Sequence, residues 1–340
     1  TRALSLLLLI LSLGMAKSKA KSVELIAPVA PKKIKKFLNF GELREDPYFW
    51  LKNKQSDEVK SYLEAENKYT SKVLEPVKKL QADFVKELRS RVNQTDASYP
   101  YKDGDYYYYI RFEAGSEYPI YARKKGSREG KEEILLNVNL EAAKENSNYY
   151  SSFITDVATN GEFLVIATDK AGRNFYDLRI VEIKSGKQLL PTIKKVTGDA
   201  VLSEDLKHLF YTSQDAETLR ANKVWRLHLE SGKAELLLEE KDEAFSIDLG
   251  QTRTRNFITI EISASQEDET WLLDSRNSTS APKLFLKRQK NHEYDVEDGG
   301  DRFFILSNKQ AKNFQVFESS LENTQFKTWK VIVPERSDVL

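Results

Sequence analysis

Two stretches of this chain repeat one order of parts: an apolar run, a run of alternating character, and the tripeptide Ser-Gly-Lys. In the first, Phe163-Leu164-Val165-Ile166-Ala167 follows the turn Asn160-Gly161, the alternating run covers 176–183, and Ser185-Gly186-Lys187 closes it. In the second, Leu209-Phe210-Tyr211-Thr212 follows Glu204-Asp205, the run 223–229 comes next, and Ser231-Gly232-Lys233 stands 46 positions after its counterpart. Period-two alternation bounded by Gly, Asn and Asp marks strands and their turns. Three further pairs share the layout: 107–112 with 118–123 around Gly115, 257–262 with 269–274, and 303–306 with 314–317 after Gly299-Gly300. A four-stranded unit recurring at roughly 40–50 residues is the signature of a β-propeller blade. About five such units are present. A β-sandwich is the alternative, and the repeated Ser-Gly-Lys turn favours blades. Blades stack face to face, so the inner strands are expected to bury both faces and to read apolar, as 163–167 does.

Ahead of this pattern the period is helical. Ser56 is a good N-cap, with Asp57 and Glu58 where the helix dipole favours acid. Val59, Tyr62, Leu63, Tyr69, Val73 and Leu74 then recur at helical spacing, and Pro76 ends the run. A second helix carries Val77, Leu80, Phe84, Leu88 and Val92. The stripe reads as packing surface, which leaves open what it packs against.

At the N-terminus, Arg2 precedes an apolar, Leu-rich run ending at Leu13, and small residues follow at Gly14, Ala16, Ser18 and Ala20. This is the layout of a secretory signal peptide cleaved after Ala16 or Ala20, and it is too short to span a bilayer. The mature chain is then expected to be periplasmic or secreted, and away from the membrane once cleaved. Residues 21–45 read as a flexible basic lead, with Pro28, Pro31 and the run Lys32-Lys33-Ile34-Lys35-Lys36. The expected domains are 1–20 signal peptide, 21–45 lead, 46–97 helical extension and 98–340 partial propeller.

Composition narrows the chemistry. The 340 residues hold 53 Lys and Arg against 52 Asp and Glu, a balance that argues against nucleic acid or an anionic membrane as partner. With no cysteine, disulfides, thiolate metal sites and a cysteine nucleophile are excluded. The three histidines, His208, His228 and His292, lie far apart, and no H-x-x-x-H pattern suggests a metal. No cofactor is expected.

The segment Asp46-Pro47-Tyr48-Phe49-Trp50-Leu51 resembles the Asp-Pro-Tyr-x-Trp-Leu signature near the start of the prolyl oligopeptidase family of serine peptidases, and 62–67 is similar to that family's next helix. The stretch 117–123, Glu217-Thr218-Leu219-Arg220 leading to Val224-Trp225-Arg226, and His292-Glu293-Tyr294 resemble the oligopeptidase B branch. The likeness runs from Asp46 to Leu340. Two turns depart from it: 158–161 replaces a common Ser-Pro-Asp-Gly, and Ala221 stands where Pro is usual.

The resemblance implies a seven-bladed propeller paired with an α/β-hydrolase domain, against which the helical stripe would pack. The fold expected here is therefore an all-β partial propeller with an N-terminal helical extension and no hydrolase domain. The family's Ser-Asp-His triad, with its Ser in a Gly-x-Ser-x-Gly elbow, is expected beyond Leu340. The nearest match by spacing, 126–130, has Arg128 at its centre. By resemblance the complete enzyme cleaves short peptides after Lys or Arg, and the propeller excludes folded proteins. Its partners are then short basic peptides and its own hydrolase domain. The chain alone is expected to be inactive. The alternative is a non-catalytic extracytoplasmic binding propeller or remnant.

Other residues were candidates for roles of their own. Glu239-Glu240-Lys241-Asp242-Glu243 reads as a solvated loop or as a lure for basic peptides. Arg220, Arg253 and Arg255 read as surface charge or as interdomain ion pairs. Tyr106 to Tyr109 read as blade packing, and none of the three histidines is placed in a triad by any motif.

Overall fold

The computed structural model describes residues 25–145 and 149–338, and the expected signal peptide with its cleavage sites at Ala16 and Ala20 lies outside them. The chain divides into two compact units, Thr1–Asn93 and Gln94–Leu340. Among the described residues, no helix is long and apolar enough to cross a membrane.

In the first unit, part of the expected flexible lead is a hairpin. Strand β1 (Lys35–Asn39) pairs antiparallel with β2 (Glu42–Asp46). Its turn residues Phe40 and Gly41 have φ of 53° and 83°, the doubly positive pattern whose twist suits a tight hairpin. Runs of lysine mask this signal, because the strands bury almost nothing.

The Asp46–Leu51 motif then acts as a clamp. The Asp46 carboxylate accepts the Tyr48 N–H at 2.7 Å, and the Trp50 indole donates to the Pro31 carbonyl at 2.8 Å. The Trp50 ring meets Tyr62 edge-on at 6.1 Å. Helix α1 (Asp57–Val73) starts after Ser56, whose hydroxyl nonetheless makes no capping bond. Pro76 lies in a short 3-10 turn before α2 (Lys78–Ser90). The apolar stripe is bare within this unit. Only Val59 is buried in α1 and nothing is buried in α2, and Phe84 and Leu88 are 56% and 61% exposed.

Among its described residues the second unit holds five four-stranded antiparallel sheets, each a meander. Blade 1 is β3 (Tyr101–Asp103), β4 (Tyr106–Arg111), β5 (Ile120–Lys125) and β6 (Glu132–Asn137), followed by the short helix α3 (Val138–Lys144). Blade 2 is β7 (Ser151–Val157), β8 (Phe163–Asp169), β9 (Tyr176–Glu182) and β10 (Ile193–Val196). Blade 3 is β11 (Ala200–Leu202), β12 (His208–Gln214), β13 (Ala221–His228) and β14 (Ala234–Glu239). Blade 4 is β15 (Ser246–Gln251), β16 (Phe257–Ser263), β17 (Asp268–Asp274) and β18 (Lys283–Leu286). Blade 5 is β19 (Tyr294–Asp298), β20 (Arg302–Ser307), β21 (Gln315–Ser320) and β22 (Lys330–Val333). The unit begins ahead of the expected 97/98 boundary because blade 1 takes in residues 96–98, where the Ser98 N–H bonds the Ile110 carbonyl at 2.8 Å.

In every blade the register shifts between the third and fourth strands. Such bulges increase local twist, which suits blades that fan around an axis. The two Ser-Gly-Lys turns fold alike between third and fourth strands. Gly186 and Gly232 both have φ of 68°, and their N–H groups bond the carbonyls of Glu182 and His228, each at 2.8 Å. The core lies between blades. Val165, Ala167, Leu178 and Ile180 of blade 2 meet Leu202, Leu209 and Leu227 of blade 3, and Phe285 of blade 4 meets Phe303, Phe317 and Trp329 of blade 5.

The apolar run 163–167 lies, as expected, in an inner strand of its sheet, the second of the four. A second strand is paired along both edges and covered on both faces, so β8 is buried from Leu164 to Asp169. The first strand, β7, keeps one edge unpaired and carries Ser151, Ser152, Thr155 and Asp156. In blade 5 the second strand alternates instead, with Phe303 and Ile305 buried and Phe304 and Leu306 exposed. No further sheet covers that face among the described residues.

Candidate functional site

The first strands of neighbouring blades touch. Thr155 on β7 exchanges hydrogen bonds with the Ala200 backbone, and the Asp156 carboxylate accepts the Leu202 N–H at 2.7 Å. These strands therefore line the axis of the blades. Each runs from a leading half to a trailing half that ends in the turn to the second strand.

The leading halves of blades 3 to 5 are acidic. Asp199 precedes β11, Asp248 lies on β15 opposite Glu261 of β16, and Asp295 lies on β19. Burial holds the Glu261 carboxyl above the usual range, and the like charges of Asp295 and Asp248 push it further up. Asp199 is raised by burial and by Asp248. Asp268 is raised by burial, with Asp295 and Glu293 adding to it. The arrangement favours any positive group that enters and is screened by salt where it is open to water. No group of three metal-ligating side chains is placed to hold a metal among the described residues.

The trailing ends are built differently. In blade 4 the turn 252–256 projects Arg255, whose guanidinium bonds Asp103 of blade 1, the Val157 carbonyl at 3.2 Å and Thr159 at 3.1 Å in blade 2. It also lies 3.8 Å from Glu204 of blade 3. The same turn reaches blade 5, where the Arg253 N–H bonds Glu297 at 2.9 Å and Asn256 bonds Asp298 at 2.7 Å. Asp156 lies in this region too. Burial pushes its carboxyl up to about 6, although Arg255 and two backbone N–H groups oppose the rise.

A serine, a histidine and an aspartate do come together, in an order unsuited to acyl transfer. Ser278 Oγ lies 2.7 and 2.8 Å from the two Asp205 carboxylate oxygens and 2.6 Å from His208 Nδ1. A carboxylate only accepts, so the Ser278 proton is committed to Asp205 and the His208 Nδ1–H donates to Ser278. A triad needs the histidine between the other two. Ser278 is also fully buried, so the trio is a tie between blades 3 and 4, joined by Arg226 on the Ser278 and Ser280 carbonyls.

The other candidates resolve into structural roles. His292 is 1% exposed and bonds Ser307 at 2.8 Å, and burial lowers its pKa to about 4. His228 pairs with His208 across β12 and β13, rings 5.1 Å apart. Arg220 binds the Phe245 and Glu240 carbonyls, so simple surface charge describes neither it nor Arg255. Within 239–243, Glu240 is buried and paired with Arg288, while 241–243 are exposed. Tyr108 and Tyr109 are buried in blade 1, and Tyr106 lies under the Arg123 guanidinium at 3.9 Å. Arg128, at the centre of the elbow-like spacing, lies over the Tyr99 ring at 4.7 Å. Sequence reasoning missed the inner carboxylates, because single acids on short polar strands carry no spacing signal.

Comparison with known proteins places this architecture. The chain is 32% identical over 321 residues to the dipeptidyl aminopeptidase BI of Pseudoxanthomonas mexicana, covering 88% of this chain and 44% of that protein. It is 30% identical over 296 residues to protease 2 of Moraxella lacunata, covering 84% of this chain and 42% of that protein. The chain thus spans less than half the length of these curated relatives. The fold matches oligopeptidase B from Leishmania major with a TM-score of 0.85 at 26% identity, over 92% of this chain and 47% of that one. Residues 28–340 match the family model described as prolyl oligopeptidase, N-terminal beta-propeller domain, and the chain accordingly belongs to the prolyl oligopeptidase family, whose propeller it carries.

Proposed function

We propose that this chain is the propeller part of a serine endopeptidase of the oligopeptidase B kind, which hydrolyses short peptides after Lys or Arg. The observation that carries the substrate class is the group of carboxylates at the leading ends of blades 3 to 5: Asp199 just before β11, Asp248 on β15, Glu261 opposite it on β16, and Asp295 on β19. Their mutual repulsion falls when a Lys or Arg side chain enters. The propeller excludes folded proteins because its axis is lined by strands that touch one another. The bare stripe on α1 and α2 is the docking face for the hydrolase domain, since burying each large apolar side chain is worth about 1.5–3 kcal/mol. The Leu-rich N-terminus supports a location in the periplasm or outside the cell.

The test uses the chain itself. A fluorescently labelled tetra-arginine peptide is expected to bind at low ionic strength, to weaken as salt rises, and to bind several-fold more weakly to the Asp248→Asn, Asp295→Asn double variant. Equal affinity of parent and variant would sink the assignment to basic peptides. The purified chain is expected not to turn over an arginine amide, and measurable hydrolysis would overturn that. Mass spectrometry of the N-terminus of exported protein, expected to begin after Ala16 or Ala20, checks the location.

A further inference from the structure

Blades 2, 3 and 4 share one turn between first and second strands. The N–H groups of Ala158, Ser203 and Thr252 bond the carbonyls five residues on, at 2.9, 3.0 and 2.9 Å. Three residues after each, Gly161, Leu206 and Arg255 return an N–H to the same starting residue, at 2.7, 3.0 and 2.8 Å. All three have positive φ, 69°, 53° and 62°. Glycine takes this conformation freely, whereas a side chain strains it. Blade 4 places an arginine where its own turn is better served by glycine. That strain persists because the side chain gains something elsewhere.

What it gains is contact with three other blades at once, as described above. An arginine side chain has a short, fixed maximum reach from its Cα, and its planar fork serves several acceptors together. One guanidinium touching the turns of blades 1, 2 and 3 therefore means that the trailing mouth of the axis is no wider than that reach. The acceptors Asp103 and Glu204 would repel each other without it, and Asp156 would lose a favourable charge. Beside the guanidinium lies an open hollow of about 640 Å³ between the blade 1 and blade 4 turns, lined in part by Gln251.

We infer that Arg255 is the latch of the trailing mouth: it holds the turns of blades 1 to 4 as one closed end, and passage along the axis at that end requires its release. The size selection proposed above is then set at this mouth by one side chain, and the inference rests on that reading for its link to substrate.

The test needs no turnover, so its failure is separable from failure of the peptidase reading. Hydrogen exchange is followed by mass spectrometry in the parent, Arg255→Gly and Arg255→Lys chains. Arg255→Gly relieves the local strain, so turn 252–256 is expected to keep or gain protection, while 103–105, 157–161 and 203–206 exchange at least about tenfold faster together. Arg255→Lys, which keeps the charge but not the fork, is expected to fall between. Loosening confined to 252–256, or none at the three remote turns, overturns the latch. Because the chain has no cysteine, Gln251→Cys supplies a single thiol in the hollow. Arg255→Gly is expected to raise its rate with a polymer-linked maleimide several-fold more than with a small one. An equal rise with both, or a bulky reagent already as fast as the small one in the Arg255 background, overturns closure of the mouth.

Discussion

Asp295 and Asp298 lie three positions apart on β19 and belong to different electrostatic worlds. Asp295 is exposed on the leading half and raises the carboxyls of Glu261 and Asp268. Asp298 is 2% exposed on the trailing half and accepts from Thr254, Asn256 and the Gly300 N–H. The same contrast runs along β15, from Asp248 at one end to the turn of Arg255 at the other. Charge at the leading half stays exposed on Asp248 and Asp295, whereas charge at the trailing half is consumed by the protein's own donors. A carboxylate's role here follows from its partners, since a buried charge must be paired or hydrogen-bonded while an exposed one need not be.

The largest expected effect concerns Asp156 at the closed end. Its folded carboxyl titrates near 6, against an ordinary value of 3.8. Below about pH 4 it is protonated in folded and unfolded chains alike and contributes nothing. Between about pH 4 and 6 the unfolded chain releases a proton that the folded chain keeps, so stability falls as pH rises, by at most about 3 kcal/mol. NMR titration of the Asp156 carboxyl carbon should show a midpoint near 6 that climbs further in Arg255→Gly. A midpoint at or below 4 would break the claim that this end is buried and tied.

Next in size is Asp298→Ala, which orphans three donors at the closed end and should lower stability by about 2 kcal/mol, read from urea unfolding midpoints. A loss under about 0.5 kcal/mol would show that the trailing end is no better tied than the leading one.

The smallest effect lies at the open end. Asp248→Asn with Asp295→Asn should change stability by no more than about 0.5 kcal/mol at moderate salt, with a slight gain from relieved repulsion. Added salt should stabilise the parent more than this variant. Thermal melts at two ionic strengths settle the matter, and a large loss in the double variant would mean that these carboxylates are structural after all.

Much of the fold was legible in residues 99–320. The second and third strands of the blades, such as 163–169 and 223–228, announce themselves because they read apolar or alternating. First strands such as Ala200–Leu202 are short and half polar, so their place at the axis could not be read locally. The hairpin at 35–46 hid behind lysines, and His292 looked like a loop residue because its burial comes from Trp329 and Tyr294, distant or polar in sequence. The candidate site was hardly legible at all. Arg255 reads as surface charge until the turns of blades 1, 2 and 3 are brought to it.

Local sequence determined the blades, because alternation, turn glycines and paired Ser-Gly-Lys motifs act over a few residues, where sterics and hydrogen bonding decide strand and turn. It also determined the family, through motifs that keep their order along the chain. Only the tertiary structure decided which charges are spent and which are free. Those pairings span from about forty to 152 positions, and they exist only because stacking buries enough apolar surface to hold distant turns within hydrogen-bond reach.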